Sequence, residues 1–166
     1  LTSSARAGGH EHLGGQRVYL VRHGETTGDS SVRFWGAPDV PLSELGEEQI
    51  RSLAPVLDGH EFAGIVQSPM KRAVRSAEIL GESLLFSDPA SDEGLREVWF
   101  GDLEGMTLTE IEQSHPEWAA QWRRSEIDGF PGGETLRGFA DRVAQAIDRA
   151  LVETPEGDLL VVAHRG

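Results

Sequence analysis

Arg22, His23 and Gly24 stand directly after Val18, Tyr19, Leu20 and Val21, and His164 stands directly after Leu159, Leu160, Val161, Val162 and Ala163. A neutral imidazole can attack an electrophile or carry a proton near pH 7, while a guanidinium is a permanent forked donor to oxyanions. Together they suit chemistry on an anionic group. Both apolar runs read as buried strands, and ligands of open α/β sheets collect beyond the carboxyl ends of strands. One shared site is therefore expected for His23 and His164. A lone histidine at a strand end is more often a satisfied structural residue; the repetition at His164 and the nearby cations reverse that balance.

Lys71 and Arg72 extend the pattern. Ser68 and Pro69 suit the cap and first-turn positions of a helix, which would put both cations in its first turn. The helix dipole and the free backbone N–H groups disfavour positive charge there. An anion bound at that terminus would resolve the conflict; the alternative is that both side chains extend into water. Arg22 sits beside the titratable His23, and Gly24 frees the backbone to turn tightly. The combination reads as a phosphate pocket. His10 and His12 flank Glu11, but in a stretch without apolar period a solvated tail is a better reading than a metal site.

These residues need a scaffold. Ser43 caps a helix with Glu44, Glu47 and Glu48 at its start and Ile50, Leu53, Ala54 and Leu57 as its buried stripe, which Pro55 should kink or shorten. Gly64 to Gln67 form a short strand, and the helix after Ser68 buries Met70, Ala73, Val74, Ala77 and Leu80. Leu84, Leu85 and Phe86 read as a third short strand, followed by a loop through Leu95, Arg96, Glu97, Val98, Trp99 and Phe100. Helical patterns cover 107–114 and 116–124, and a turn at Phe130 to Gly133 admits a long helix from Glu134 to Val152 before the final strand. Strands alternating with helices predict an α/β fold, a three-layer sandwich with a mostly parallel central sheet flanked by helices. Phe34 and Trp35 either wall a pocket or cover the edge of the core. Trp99, Phe100, Met106, Trp118 and Trp122 either line a substrate wall or, the better reading, belong to the core.

With 166 residues, 38% hydrophobic and 26% charged, the chain suits one soluble domain. Residues 1–16, rich in Gly, Ser, Ala and His, read as a disordered leader, and 17–166 as the domain. The net charge of -13 argues against nucleic-acid and anionic-membrane partners, which demand a basic surface. An acidic protein that handles an anionic substrate must concentrate its cations locally, so the positions of the arginines matter more than their number. No apolar run approaches the roughly 20 residues of a membrane span, and no secretory pattern opens the chain, so a cytoplasmic location is expected. The absence of cysteine excludes disulfides, thiolate zinc sites and a cysteine nucleophile.

In chain order, Arg22, His23, Gly24, Glu25, Thr26, then Pro41, Leu42, Ser43 with Leu45 and Gly46, then Ser68, Pro69, Arg72 and Ala73 form the first half of a specific set. Leu95, Arg96, Glu97 with Phe100, Gly101, Glu104 and Gly105, then Pro131, Gly132, Gly133, Glu134 and the last strand with His164 complete it. Across residues 17–166 the chain resembles the histidine phosphatase superfamily, which includes cofactor-dependent phosphoglycerate mutases and many small phosphatases. The resemblance implies a phosphoglycerate mutase-like fold with His23 as the nucleophile that accepts a phosphoryl group. Arg22, Arg72 and His164 would clamp its oxygens and Glu97 would be the general acid, with a raised pKa. No metal and no cofactor are implied, and the partner implied is a small phosphorylated substrate.

Three departures stand out. Asp29 occupies the position where the family usually carries an asparagine that helps bind phosphate, and a carboxylate there repels phosphate unless protonated or turned away. Arg165 follows His164 where glycine is common. The family also continues past its second histidine with a helix and further sheet, so the domain is expected to be short at its C-terminus. The modest stretch between Glu97 and His164 favours a phosphomonoesterase over a mutase, whose longer insertion there encloses phosphoglycerate. Residues Pro131 to Glu134 resemble the small-phosphatase branch that includes alpha-ribazole phosphatases. Mutase-type phosphoryl transfer and a catalytically weak phosphate-binding module, the latter motivated by Asp29, are the alternatives. A homodimer stays open.

Overall fold

Four consecutive apolar residues, Leu159 to Val162, cannot alternate between core and water, so a strand made from them must be covered on both faces. The computed structural model describes residues 15–28, 32–86, 88–154 and 156–165. There the run forms β4 (Asp158–Ala163), with all four side chains at most 1% exposed. Each contributes about 1.5–3 kcal/mol on burial. β4 lies between β1 (Val18–Arg22) and β2 (Phe62–Gln67), and β2 pairs on its far side with β3 (Ala90–Ser91), giving the order β1-β4-β2-β3. All three ladders are parallel.

The two faces of β4 define two cores. Leu160 and Val162 pack with Val21 against α1 (Glu44–Leu57) and α2 (Lys71–Leu84), burying Ile50, Ala54, Leu57, Ala77 and Leu80. Leu159 and Val161 pack with Leu95 against Ala146 and Ala150 of α5 (Leu136–Glu153). This is the expected three-layer sandwich. A third cluster, with Val98, Leu103, Ile111, Trp118 and Phe130, holds α3 (Leu108–Ser114) and α4 (Pro116–Arg123). Trp118 is thus core, whereas Trp99 and Trp122 remain 52% and 38% exposed.

Local chemistry explains most boundaries. The Ser43 hydroxyl accepts from the Gly46 N–H at 3.1 Å, and α1 ends at Leu57, two residues past Pro55, which lacks the N–H to continue the ladder. Gly24 is required for close approach: a Cβ there would stand 2.2 Å from the Gly46 carbonyl oxygen. Thr107 and Glu110 form a reciprocal capping box on α3, and Pro116 opens α4.

Four expectations need correction. β1, read as a buried strand, is an edge strand of the sheet, with Val18 37% and Leu20 70% exposed and Val21 alone in the core. α2 starts at Lys71 with Met70 as its cap residue, two positions later than Ser68. The anion that its cationic first turn called for is the protein's own Asp39, which accepts from the Lys71 N–H at 2.7 Å, while the Lys71 side chain extends to solvent. Leu84 and Leu85 are not a strand: Leu84 lies four residues after Leu80 on the buried stripe of α2, and Leu85 closes the helix in the left-handed region at φ 59°. The third strand is instead Ala90–Ser91. Finally, α5 starts after Thr135, whose hydroxyl accepts from the Gly138 N–H at 3.0 Å, and Glu134 lies outside the helix.

Candidate functional site

Strand register brings the histidines together. β1 and β4 pair Arg22 with Ala163, and the His23 N–H donates to the Ala163 carbonyl at 3.0 Å. The next residues therefore leave the sheet side by side, with ring centroids 5.1 Å apart and planes at 64°. On the other side of β4, β2 pairs Gln67 with Val162 and delivers Ser68, whose N–H donates to the Val162 carbonyl at 2.9 Å. Its hydroxyl oxygen lies 2.8 Å from His164 Nε2. Three neighbouring strand ends thus supply His23, His164 and Ser68.

Hydrogen bonds fix both tautomers. His23 Nδ1 lies 2.6 Å from the Gly24 carbonyl, so it carries the proton and donates, leaving the lone pair on Nε2. Arg72 Nε–H donates to His164 Nδ1 at 3.3 Å, so neutral His164 keeps its proton on Nε2 and donates to Ser68 Oγ. Burial, with Arg72 and Arg22 adding to it, lowers the His23 pKa from 6.5 to about 4 against the pull of the Gly24 carbonyl. Burial and then Arg72 lower that of His164 to about 2. Both imidazoles are neutral near pH 7.

Arg72 is 1% exposed and is held by backbone. Its Nη1 donates to the Pro38 carbonyl at 3.0 Å, and its Nη2 to those of Gly36 at 3.0 Å and Trp35 at 3.4 Å. With the bond to His164, the guanidinium retains little donor capacity for a ligand, and what it brings is chiefly charge. Burial holds its pKa below the usual arginine value, with Glu97 opposing. The loop that cradles it is anchored by Glu104, whose carboxylate accepts from the N–H groups of Gly36, Ala37 and Phe100 at 2.9, 2.9 and 3.0 Å. Only glycine fits at position 36, where a Cβ would stand 2.1 Å from the Val98 carbonyl oxygen.

Glu97 completes the cluster. Its side chain is 10% exposed, with Oε2 3.9 Å from His164 Nδ1 and Oε1 accepting from the Val98 N–H at 3.0 Å. Its loop is tied to α5 by Arg142, a residue the sequence reading did not single out. Arg142 donates to the carbonyls of Gly94, Arg96 and Glu97 at 2.9, 2.7 and 3.0 Å and makes a bidentate pair with Glu134 at 2.7 and 2.8 Å. Arg22 and Arg165 are exposed and line the same cavity as His23, Arg72 and Glu97. Of the six residues expected at the site, Asp29 alone lies outside the described residues, as do His10 and His12.

The sequence profile of the histidine phosphatase superfamily, branch 1, matches residues 18–166. The chain belongs to this superfamily. Its similarity extends to the probable phosphoglycerate mutase GpmB of Serratia proteamaculans, at 33% identity over 150 residues, covering 89% of this chain and 69% of that one. The uncharacterized phosphatase PhoE of Bacillus subtilis is 34% identical over 147 residues, covering 89% and 70% of the two chains. Among solved structures, mycobacterial glucosyl-3-phosphoglycerate phosphatase superposes with a TM-score of 0.80 at 30% identity, covering 90% of this chain and 74% of that one. The same enzyme in complex with VO3 gives 0.79 at 32% identity, covering 90% and 76%.

The superfamily signature here surrounds a cavity of about 780 Å³. Its lining includes Arg22, His23, Arg72 and Glu97 and the rings of Phe34, Trp35, Phe100, Trp122, Phe130 and Phe139. Phe34 and Trp35 are therefore pocket walls, and Phe34 is also part of the core. His23, Glu97 and His164 present one ligand atom each within 4.8 Å of one another, a donor set that by type could take a divalent ion. Arg72 opposes this, because it is a permanent cation already donating to the His164 Nδ1 lone pair. Among the described residues, no helix is long and apolar enough to cross a membrane.

Proposed function

We propose that this chain hydrolyses monoesters of phosphate on small metabolites through a phosphohistidine at His23. The observation that carries the reading is a neutral His23 whose Nδ1–H is bound to Gly24, with its ring 5.1 Å from that of His164 in a cavity shared with Arg22, Arg72 and Glu97. In the first step His23 Nε2 attacks phosphorus in line, forming the N–P bond as the ester P–O bond breaks, and Glu97 protonates the departing alkoxide. In the second, Glu97 takes a proton from water, whose oxygen attacks phosphorus and breaks the N–P bond, releasing inorganic phosphate. Fixed positive charge stabilises the equatorial oxygens in both.

Arg22 is the exposed fork able to grip those oxygens, and Arg72 supplies charge from behind. The VO3 complex of the mycobacterial relative supports an oxyanion site in this fold. Mutase-type transfer, suggested by the GpmB similarity, shares the first step and differs in the acceptor, an alcohol in place of water. Phosphate release from a panel of monoesters, measured for wild type and His23→Ala, tests the proposal, together with acid-labile phosphate on His23 after quenching. Equal rates in the two proteins would overturn it; isomerised phosphoglycerate without phosphate release would favour the mutase.

A further inference from the structure

Much of the cavity lining is a wall of interlocked rings. Phe34 meets Phe100 edge-on at 5.1 Å and Trp122 at 5.9 Å, and Phe100 meets Phe130 at 4.9 Å. Such contacts hold the rings in place before any ligand arrives. Trp122 and Leu136 line the cavity, yet each remains 38% exposed, so apolar area is left there for a ligand to cover. The cations are elsewhere or engaged. Arg22 and Arg72 flank His23, and Arg165 follows His164 at its strand end. Arg33 donates to the Gly105 carbonyl at 2.6 Å and pairs with Glu110 at 3.1 Å. The Glu25 carboxylate in the lining would repel a second anionic group on the substrate.

Resting on the phosphatase reading above, we infer that the preferred leaving group is an uncharged alcohol bearing an aromatic or similarly flat apolar body that lies on the Trp122–Leu136 wall. Phosphates whose alcohol carries its own carboxylate are the poorer class. A carboxylate directed at the rings would lose water without gaining a partner.

Turnover of 3-phenylpropyl phosphate, glycerol 3-phosphate and 3-phosphoglycerate tests this. All three depart as primary alcohols, so differences in kcat/KM report on the wall. The expected result is a preference of about tenfold or more for the phenylpropyl ester, a size typical of apolar pocket discrimination. Trp122→Ala and, separately, Leu136→Ser should shrink that ratio. A ratio near one, a preference for 3-phosphoglycerate, or a ratio untouched by both variants would overturn the inference. Calorimetry with the non-hydrolysable 4-phenylbutylphosphonate against methylphosphonate separates the two claims. Binding tighter by about tenfold supports the ring wall even if no ester is turned over, a failure that would sink the phosphatase reading instead. Equal binding overturns the inference.

Discussion

Acidification from pH 6 to pH 5 should weaken the fold through His23 and His164 in a way that can be counted. A histidine in the unfolded chain titrates near 6.5, while burial and the adjacent guanidiniums hold His23 at about 4 and His164 at about 2 in the fold. Both folded values are depressed. The unfolded state therefore binds more protons, and stability that is fully present above about pH 6.5 is lost as pH falls, down to about 4 for His23 and about 2 for His164. Between pH 6 and 5 an unfolded histidine is on average about 0.9 protonated, so at about 1.36 kcal/mol per proton per pH unit each site loses about 1 kcal/mol. The pair loses about 2 kcal/mol, a sizeable share of a typical total of about 5–15 kcal/mol. Urea unfolding at the two pH values, for wild type, His23→Gln, His164→Gln and the double variant, measures this. Each single variant should lose about 1 kcal/mol less than wild type on acidification and the double variant about 2, since the other titrating groups cancel in the difference. Equal losses in all four proteins would refute neutral, buried imidazoles, and with them a His23 ready to attack at neutral pH.

Arg142→Met removes five hydrogen bonds that tie the Glu97 loop and Glu134 to α5. It should cost about 3 kcal/mol in urea unfolding, with Glu134 left unpaired, and lower kcat/KM by about tenfold or more through misplacement of Glu97. Asp39→Ala should destabilise by about 1 kcal/mol and speed hydrogen exchange at the Lys71 amide, whereas Ser68→Ala should leave that amide protected and lower activity instead, because Ser68 holds His164. The reverse pattern would restore Ser68 as the cap. Exhaustive dialysis against a chelator should leave turnover unchanged, and loss of activity restored by a divalent ion would show that the His23, Glu97 and His164 donors do ligate metal.

What could be read in advance was carried by short-range pattern. A strand buried on both faces needs an unbroken apolar run, which Leu159 to Val162 supply, and a parallel sheet gathers its strand ends on one edge, so the runs ending at His23 and His164 announced fold class and site, although β1 is an edge strand with Leu20 70% exposed. The helix cap at Ser43 and the capping box at Thr107 likewise involve residues within a few positions of each other. The remainder was set by contacts that leave no local trace. β3 has two residues, too few for any periodicity, and Leu84 could be assigned to a helix, with Leu85 closing it, only once its stripe met β4. Asp39 caps α2 from 32 residues away, displacing Ser68 to the service of His164, 96 residues distant. Arg142 reaches the Glu97 carbonyl across 45 residues. Sequence nominated the groups that the proposed chemistry uses, because residue type and strand ends are local properties. Folding alone decided which tautomer each imidazole holds, how Arg72 is clamped and what walls the cavity, because hydrogen-bond geometry and exclusion of water exist only once distant segments pack.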